Sequence, residues 1–115
     1  MAFAVPLGRL AICPDDAAGL LEGSIDLLVR TAERTTVLDY KTDRFQPRGR
    51  KAVEERYWPQ LTLYALAAEA CGHSDGEAEL ALFFVRAGTI SRRPLDQELL
   101  GRVASQVARA LAGEG

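Results

Sequence analysis

The chain has 115 residues, 48% of them hydrophobic and 26% charged, with a formal net charge of −2. That length and balance fit one domain with a modest core, and the overall charge announces no nucleic-acid partner. No apolar run reaches 18 residues, so no membrane helix is expected, and Met1–Leu10 lacks the basic start and long apolar middle of a secretory leader. A cytoplasmic protein is expected. Cys13 and Cys71 stand apart, without a CxxC pair or zinc spacing, and read as free thiols.

In chain order, Phe3–Leu7 reads as a short strand and Cys13–Gly19 as a turn or loop. Leu20–Arg30 is rich in Leu, Ile and Val and reads as one strand, with Gly23 at a bend or bulge. Thr35–Lys41 is β-branched and aromatic, and is expected to pair with it as a hairpin. Asp43–Arg50, with Pro47 and Gly49, is expected to be an exposed loop. Trp58, Leu61, Ala65 and Ala68 recur at helical spacing, and Pro59, best placed in a first turn, sets the helix start near Trp58. Gly72 suits its end. Glu79–Arg86 reads as a buried strand, Thr89–Arg93 as a short returning strand, and Leu95–Leu111 as an amphipathic helix. The sum is a mixed sheet with helices packed on it.

Strand alternation makes a sharper statement. Residues two apart share a face, roughly 6.5 Å from each other, so Asp39 and Lys41 project together with Val37, while Leu38 and Tyr40 face away. Asp26, on the preceding strand, can be brought beside Asp39. Two adjacent carboxylates repel unless a cation lies between them, and Mg²⁺ takes carboxylate and water oxygens. The Tyr40 carbonyl is a candidate third ligand. Lys41 would orient the attacking water or offset negative charge in the transition state. Against this, a bare Asp-x-Lys on a strand is commonly a surface ion pair. Two acids in apolar strand segments, costly to bury unpaired, favour the metal site. Gln60 and Tyr64, at i and i+4, neighbour each other on one helix face. Lys41, Arg44, Arg48, Arg50, Lys51 and Arg56 form a local basic strip that reads either as a steering surface or as a solvated face of mixed charge.

Gly23-Ser24-Ile25-Asp26-Leu27, Val37-Leu38-Asp39-Tyr40-Lys41-Thr42-Asp43 and Tyr57-Trp58-Pro59-Gln60-Leu61 running to Tyr64 together resemble the RecB-like nuclease domain of the PD-(D/E)xK superfamily. The resemblance is nearest to the C-terminal nuclease domain of AddA- and RecB-type helicase–nuclease subunits, and runs from about Leu7 to Leu111. It implies a restriction-endonuclease-like α/β fold, with Asp26 and Asp39 as metal ligands and Lys41 as the catalytic lysine. Gln60 and Tyr64 would lie near the site and the DNA. The implied cofactor is Mg²⁺, with Mn²⁺ as a substitute. The implied activity is exonuclease cleavage of single-stranded DNA ends in double-strand-break repair and recombination, by a domain joined to an ATP-dependent helicase or its partner subunit. No GxxxxGK[ST] loop is present, so this segment is not expected to bind ATP.

Members of that family carry a helix, with an acid or His, ahead of the first strand; Met1–Leu10 holds no such residue. Residues 1–115 are therefore expected to be one nuclease-like domain from the C-terminal part of a larger protein, without its N-terminal helix. An apolar sheet face would then lie open to a homodimer or other partner. The alternative function is a catalytically incomplete module that holds DNA or a subunit without cutting.

Overall fold

A computed structural model describes residues 1–74 and 77–113 of the chain. In chain order they form β1 (Ala2–Pro6), β2 (Leu20–Ser24), β3 (Leu27–Arg30), β4 (Arg34–Lys41), α1 (Arg50–Ala70), β5 (Glu77–Phe84), β6 (Thr89–Pro94) and α2 (Gln97–Leu111). Strands β1 and β2 make an antiparallel pair, and the other four form a sheet in the order β3-β4-β5-β6. Within that sheet β4 and β5 run parallel and the outer strands antiparallel to them. The connection between the parallel strands is α1, as a parallel pair requires. This is the mixed, helix-flanked sheet expected from the sequence. No helix among the described residues is long and apolar enough to cross a membrane.

Two expected boundaries are corrected. Leu20–Arg30 is not one strand: it breaks at Ile25 and Asp26, and its halves belong to different sheets. The apolar run hides the break because Ile25 is fully buried, serving the core at the join. The long helix starts at Arg50, not near Trp58, so Pro59 lies inside it. Pro59 removes only the N–H that would reach the Glu55 carbonyl. Val53, Trp58, Leu61 and Ala65 bury one face of α1 on both sides of the proline, and that burial outweighs the one lost bond. The expected loop 43–50 accordingly ends in a 3-10 turn at Pro47–Gly49 that leads into the helix. The helix closes as expected at Gly72, whose φ of +80° favours glycine.

The core lies between α1 and one face of the sheet. Val37 on β4, and Leu80, Leu82 and Phe84 on β5, meet Leu61, Leu66 and Ala68 of α1, with Leu99 of α2 behind them. Phe3, Val5 and Leu10 extend this core under the β1–β2 pair. α2 begins on a good cap, the Asp96 carboxylate accepting the Leu99 amide at 3.0 Å. The opposite face of the sheet is open: Leu27, Val29, Tyr40 and Ile90 are each more than 40% exposed. Among the described residues nothing singles out a second copy of the chain as its cover.

Candidate active site

Asp26, Asp39 and Lys41 converge, and the register explains how. Leu27 pairs with Leu38 at the start of the β3–β4 ladder, so one further step sets Asp26 opposite Asp39. The ladder stops there. The Tyr40 amide instead donates to the Asp26 carboxylate at 2.9 Å, a side chain standing in for a strand partner. Asp39 lies on the helix-covered face, between Val37 and Lys41, and is 6% exposed. Its side chain meets the Asp26 carboxyl on one side and Lys41 Nζ at 2.6 Å on the other.

The environment splits the two acids. Burial, then the hydrogen bond with Asp26, push the Asp39 carboxyl above its ordinary range despite the opposing pull of Lys41. Hydrogen bonds from Asp39 and from the Tyr40 amide hold Asp26 below its ordinary range. The dyad titrates as a unit and tends to keep a proton on Asp39.

Lys41 is held from three sides. Besides Asp39, its ammonium donates to Gln60 Oε1 at 3.1 Å and sits 4.2 Å from the centre of the Tyr57 ring, a cation–π distance. The Tyr57 hydroxyl in turn reaches both oxygens of the Asp43 carboxylate at 2.8 Å, and Asp43 also faces Arg56 at 3.6 Å. Burial, with the hydrogen bond to Asp43 next, raises the Tyr57 phenol above its usual range, so it stays a donor.

The structure thus brings Gln60 to the trio but turns Tyr64 elsewhere. The Tyr64 ring packs edge-on against Phe3, with centroids 5.5 Å apart. Both rings press on Gly23, where an added Cβ would lie 2.9 Å from each. Tyr64 therefore buttresses β2, the strand leading to Asp26. The Tyr40 side chain is on the open face; its amide is what serves Asp26. His73 is exposed at the end of α1. Of the basic strip, Lys41, Arg50 and Arg56 are paired with acids.

Tyr57 and Asp43 were not among the residues expected to form the site. A signal for each was present. Tyr57, Gln60 and Tyr64 fall at i, i+3 and i+7 on one helical face, and Asp43 continues the alternation of Asp39 and Lys41.

Among the described residues no three or more His, Cys, Asp or Glu side chains gather into a ready metal cage. The donors present are two carboxylates in contact and nearby backbone carbonyls, all hard oxygens. That set fits a cation such as Mg²⁺, which commonly binds through one or two carboxylates and completes its shell with water and substrate phosphate.

The sheet, the carboxylate pair and the lysine held beside it are those of a nuclease, and a model of the PD-(D/E)XK nuclease superfamily matches residues 2–114. The chain belongs to that superfamily. It is similar to ATP-dependent helicase/nuclease subunits of three bacteria. Identity is 45% over 51 residues with the protein of Desulforudis audaxviator, covering 44% of this chain and 4% of the relative. It is 33% over 75 residues with that of Listeria monocytogenes serotype 4b, covering 60% and 6%. It is 36% over 72 residues with that of Bacillus pumilus, covering 56% and 6%. The matched part is a small fraction of each relative's length.

Proposed function

We propose that this domain hydrolyses phosphodiester bonds of DNA, as the exonuclease part of a cytoplasmic helicase–nuclease that processes broken ends for repair and recombination. The observation that carries the hydrolytic reading is the contact of Asp26 with Asp39 beside a lysine held by Asp39, Gln60 and Tyr57. The names of the relatives support the helicase attachment.

Asp26 and Asp39 would hold Mg²⁺, or Mn²⁺ in its place, with the Tyr40 carbonyl as a further ligand. When bound, such an ion polarises the phosphoryl group and makes its water more acidic. The chain's own residues do the rest. Asp39 anchors Lys41 so that its ammonium faces the reacting phosphate. There it orients the attacking water and offsets the charge that develops on the phosphoryl oxygens. Gln60 and Tyr57 fix the direction of that ammonium, which cuts the reorganisation needed during reaction. The Gln60 amide nitrogen and the neighbouring helix face border the strand being cut.

A second reading has one observation in its favour: among the described residues only two acids meet at the site. On that reading the domain holds DNA or a protein partner and does not cut. A labelled single-stranded oligonucleotide incubated with Mg²⁺ separates the two. Cleavage that stops with a chelator, with Asp39→Ala and with Lys41→Ala supports the enzyme. Equal product from the unaltered chain and both variants would sink it.

A further inference from the structure

Strands β4 and β5 end side by side, with Lys41 opposite Phe84, and the Val85 amide donates to the Lys41 carbonyl at 3.0 Å. The segments leaving the two strands therefore run on together. Between them is a hollow of about 450 Å³ lined by Asp43, Arg44, Phe45, Arg86 and Ala87. A second hollow of about 290 Å³ shares Phe45 and Ala87 and continues to Pro47, Arg50 and Thr89. Outside the carboxyl ends of parallel strands is where open α/β sheets take their ligands.

The charges lining this groove are unevenly satisfied. Asp43 is taken up by Tyr57 and Arg56, and Arg50 by Glu54 and Ser91. Arg44 and Arg86, one from each segment, make no ion pair or hydrogen bond among the described residues. Thr89 lines the second hollow, its Oγ1 closed off from solvent and without a hydrogen-bond partner among the described residues. Two unpaired guanidinium groups along an open groove match an anion with several oxygens.

We propose that this groove is a phosphate subsite, which takes the sugar–phosphate backbone of a single nucleic-acid strand next to the bond being cut. Arg44 and Arg86 clamp a phosphate. Arg44 is three residues beyond Lys41, a chain span of at most about 11 Å, so the clamped phosphate lies close along the strand from the scissile one. The subsite rests on the nuclease reading and deepens it: it gives the substrate a path across the chain.

Binding measured without cleavage tests it. Fluorescence anisotropy of a labelled single-stranded DNA oligonucleotide is followed in EDTA at several salt concentrations. For single strands each lost phosphate contact lowers the salt slope by roughly 0.7. Arg44→Gln and Arg86→Gln are each expected to lower it by about that much and to weaken binding roughly 3- to 10-fold near 0.1 M salt. Arg109→Gln, far along α2, is expected to leave both unchanged. An RNA strand of the same sequence is expected to show the same slope changes, because the contacts are to phosphate. Both arginines are exposed, and unchanged melting of the variants confirms intact folding. An unaltered slope in both variants, with DNA still bound and cut, would overturn the subsite and leave the nuclease reading standing. An equal loss in Arg109→Gln, or a slope change confined to DNA or to RNA, would also overturn it. A chain that neither binds nor cuts DNA would overturn both readings.

Discussion

Two polar clusters flank α1, and they differ in how their charges balance. On the α2 side, Arg50 bonds Glu54 and Ser91, and Ser91 also bonds Glu54. Nearby, Arg102 bridges Glu55 and Glu98 at 2.9 and 2.6 Å, with Arg93 facing the same two acids. Each acid there has a base, and the cluster ties α1 to β6 and α2. On the other side Asp26 and Asp39 share one lysine, and one carboxyl is driven towards its protonated form. Polar groups that serve the fold are paired off. The two acids of the candidate site are left short of positive charge, as groups at functional sites often are.

The widest separation between the clusters should appear in the rate of cutting. Lys41→Ala is expected to lower single-turnover cleavage about 10²- to 10³-fold, or ~3–4 kcal/mol, the usual cost of losing one transition-state charge partner. Arg102→Ala is expected to leave that rate unchanged. A rate that fell in Arg102→Ala as well would erase the distinction.

Metal addition comes next. Mg²⁺ at a hundredfold over its dissociation constant is expected to stabilise the fold by about 2.7 kcal/mol, read as a rise in melting temperature. Asp26→Asn should abolish the rise, while Glu54→Gln should keep it. The latter variant has its own cost. Cutting the ionic character of the Glu54–Ser91–Arg50 cluster is expected to lose about 1.5–3 kcal/mol in urea unfolding, with the metal response intact.

Smallest is the effect of Asp39→Asn on the metal-free protein, and its sign is opposite. Asp39 holds its proton more tightly folded than unfolded. The stability this contributes is complete below the ordinary Asp value of about 3.9 and is lost as pH rises through the folded value. Asn carries no such loss, so Asp39→Asn is expected to melt slightly higher than the unaltered chain at pH 7, and the gap should close near pH 3. Asp26 runs the other way, its contribution fading as pH falls. A lower melting temperature for Asp39→Asn at neutral pH would mean that its pairing with Lys41 outweighs the desolvation of the dyad.

Alternation alone placed Asp39 and Lys41 on one face, because β4 is long and regular, and a sheet exposes such a period directly in its text. The meeting of Asp26 with Asp39 was also legible, although its cause was not. It depends on a break between two sheets, and Ile25, buried at that break, looks like any other strand residue. The start of α1 was misplaced because a proline is a strong local signal, while the packing that overrides it is spread along the helix from Val53 to Ala65. Tyr57 and Asp43 act through Lys41, and contacts made through an intermediary leave only faint spacing behind. The roles of Gln60 and Tyr64 diverged for a related reason: four residues apart on α1, they face different parts of the site's surroundings.

Gly23 carries a lesson for judging which members of such a family still work. One methyl group there would have to displace Phe3 or Tyr64, and β2 would have to yield three residues short of Asp26. An alanine at this position is thus expected to disturb the candidate site while leaving every charged residue of it in place. Competence is written partly in an absence of atoms, and a census of catalytic letters passes over it.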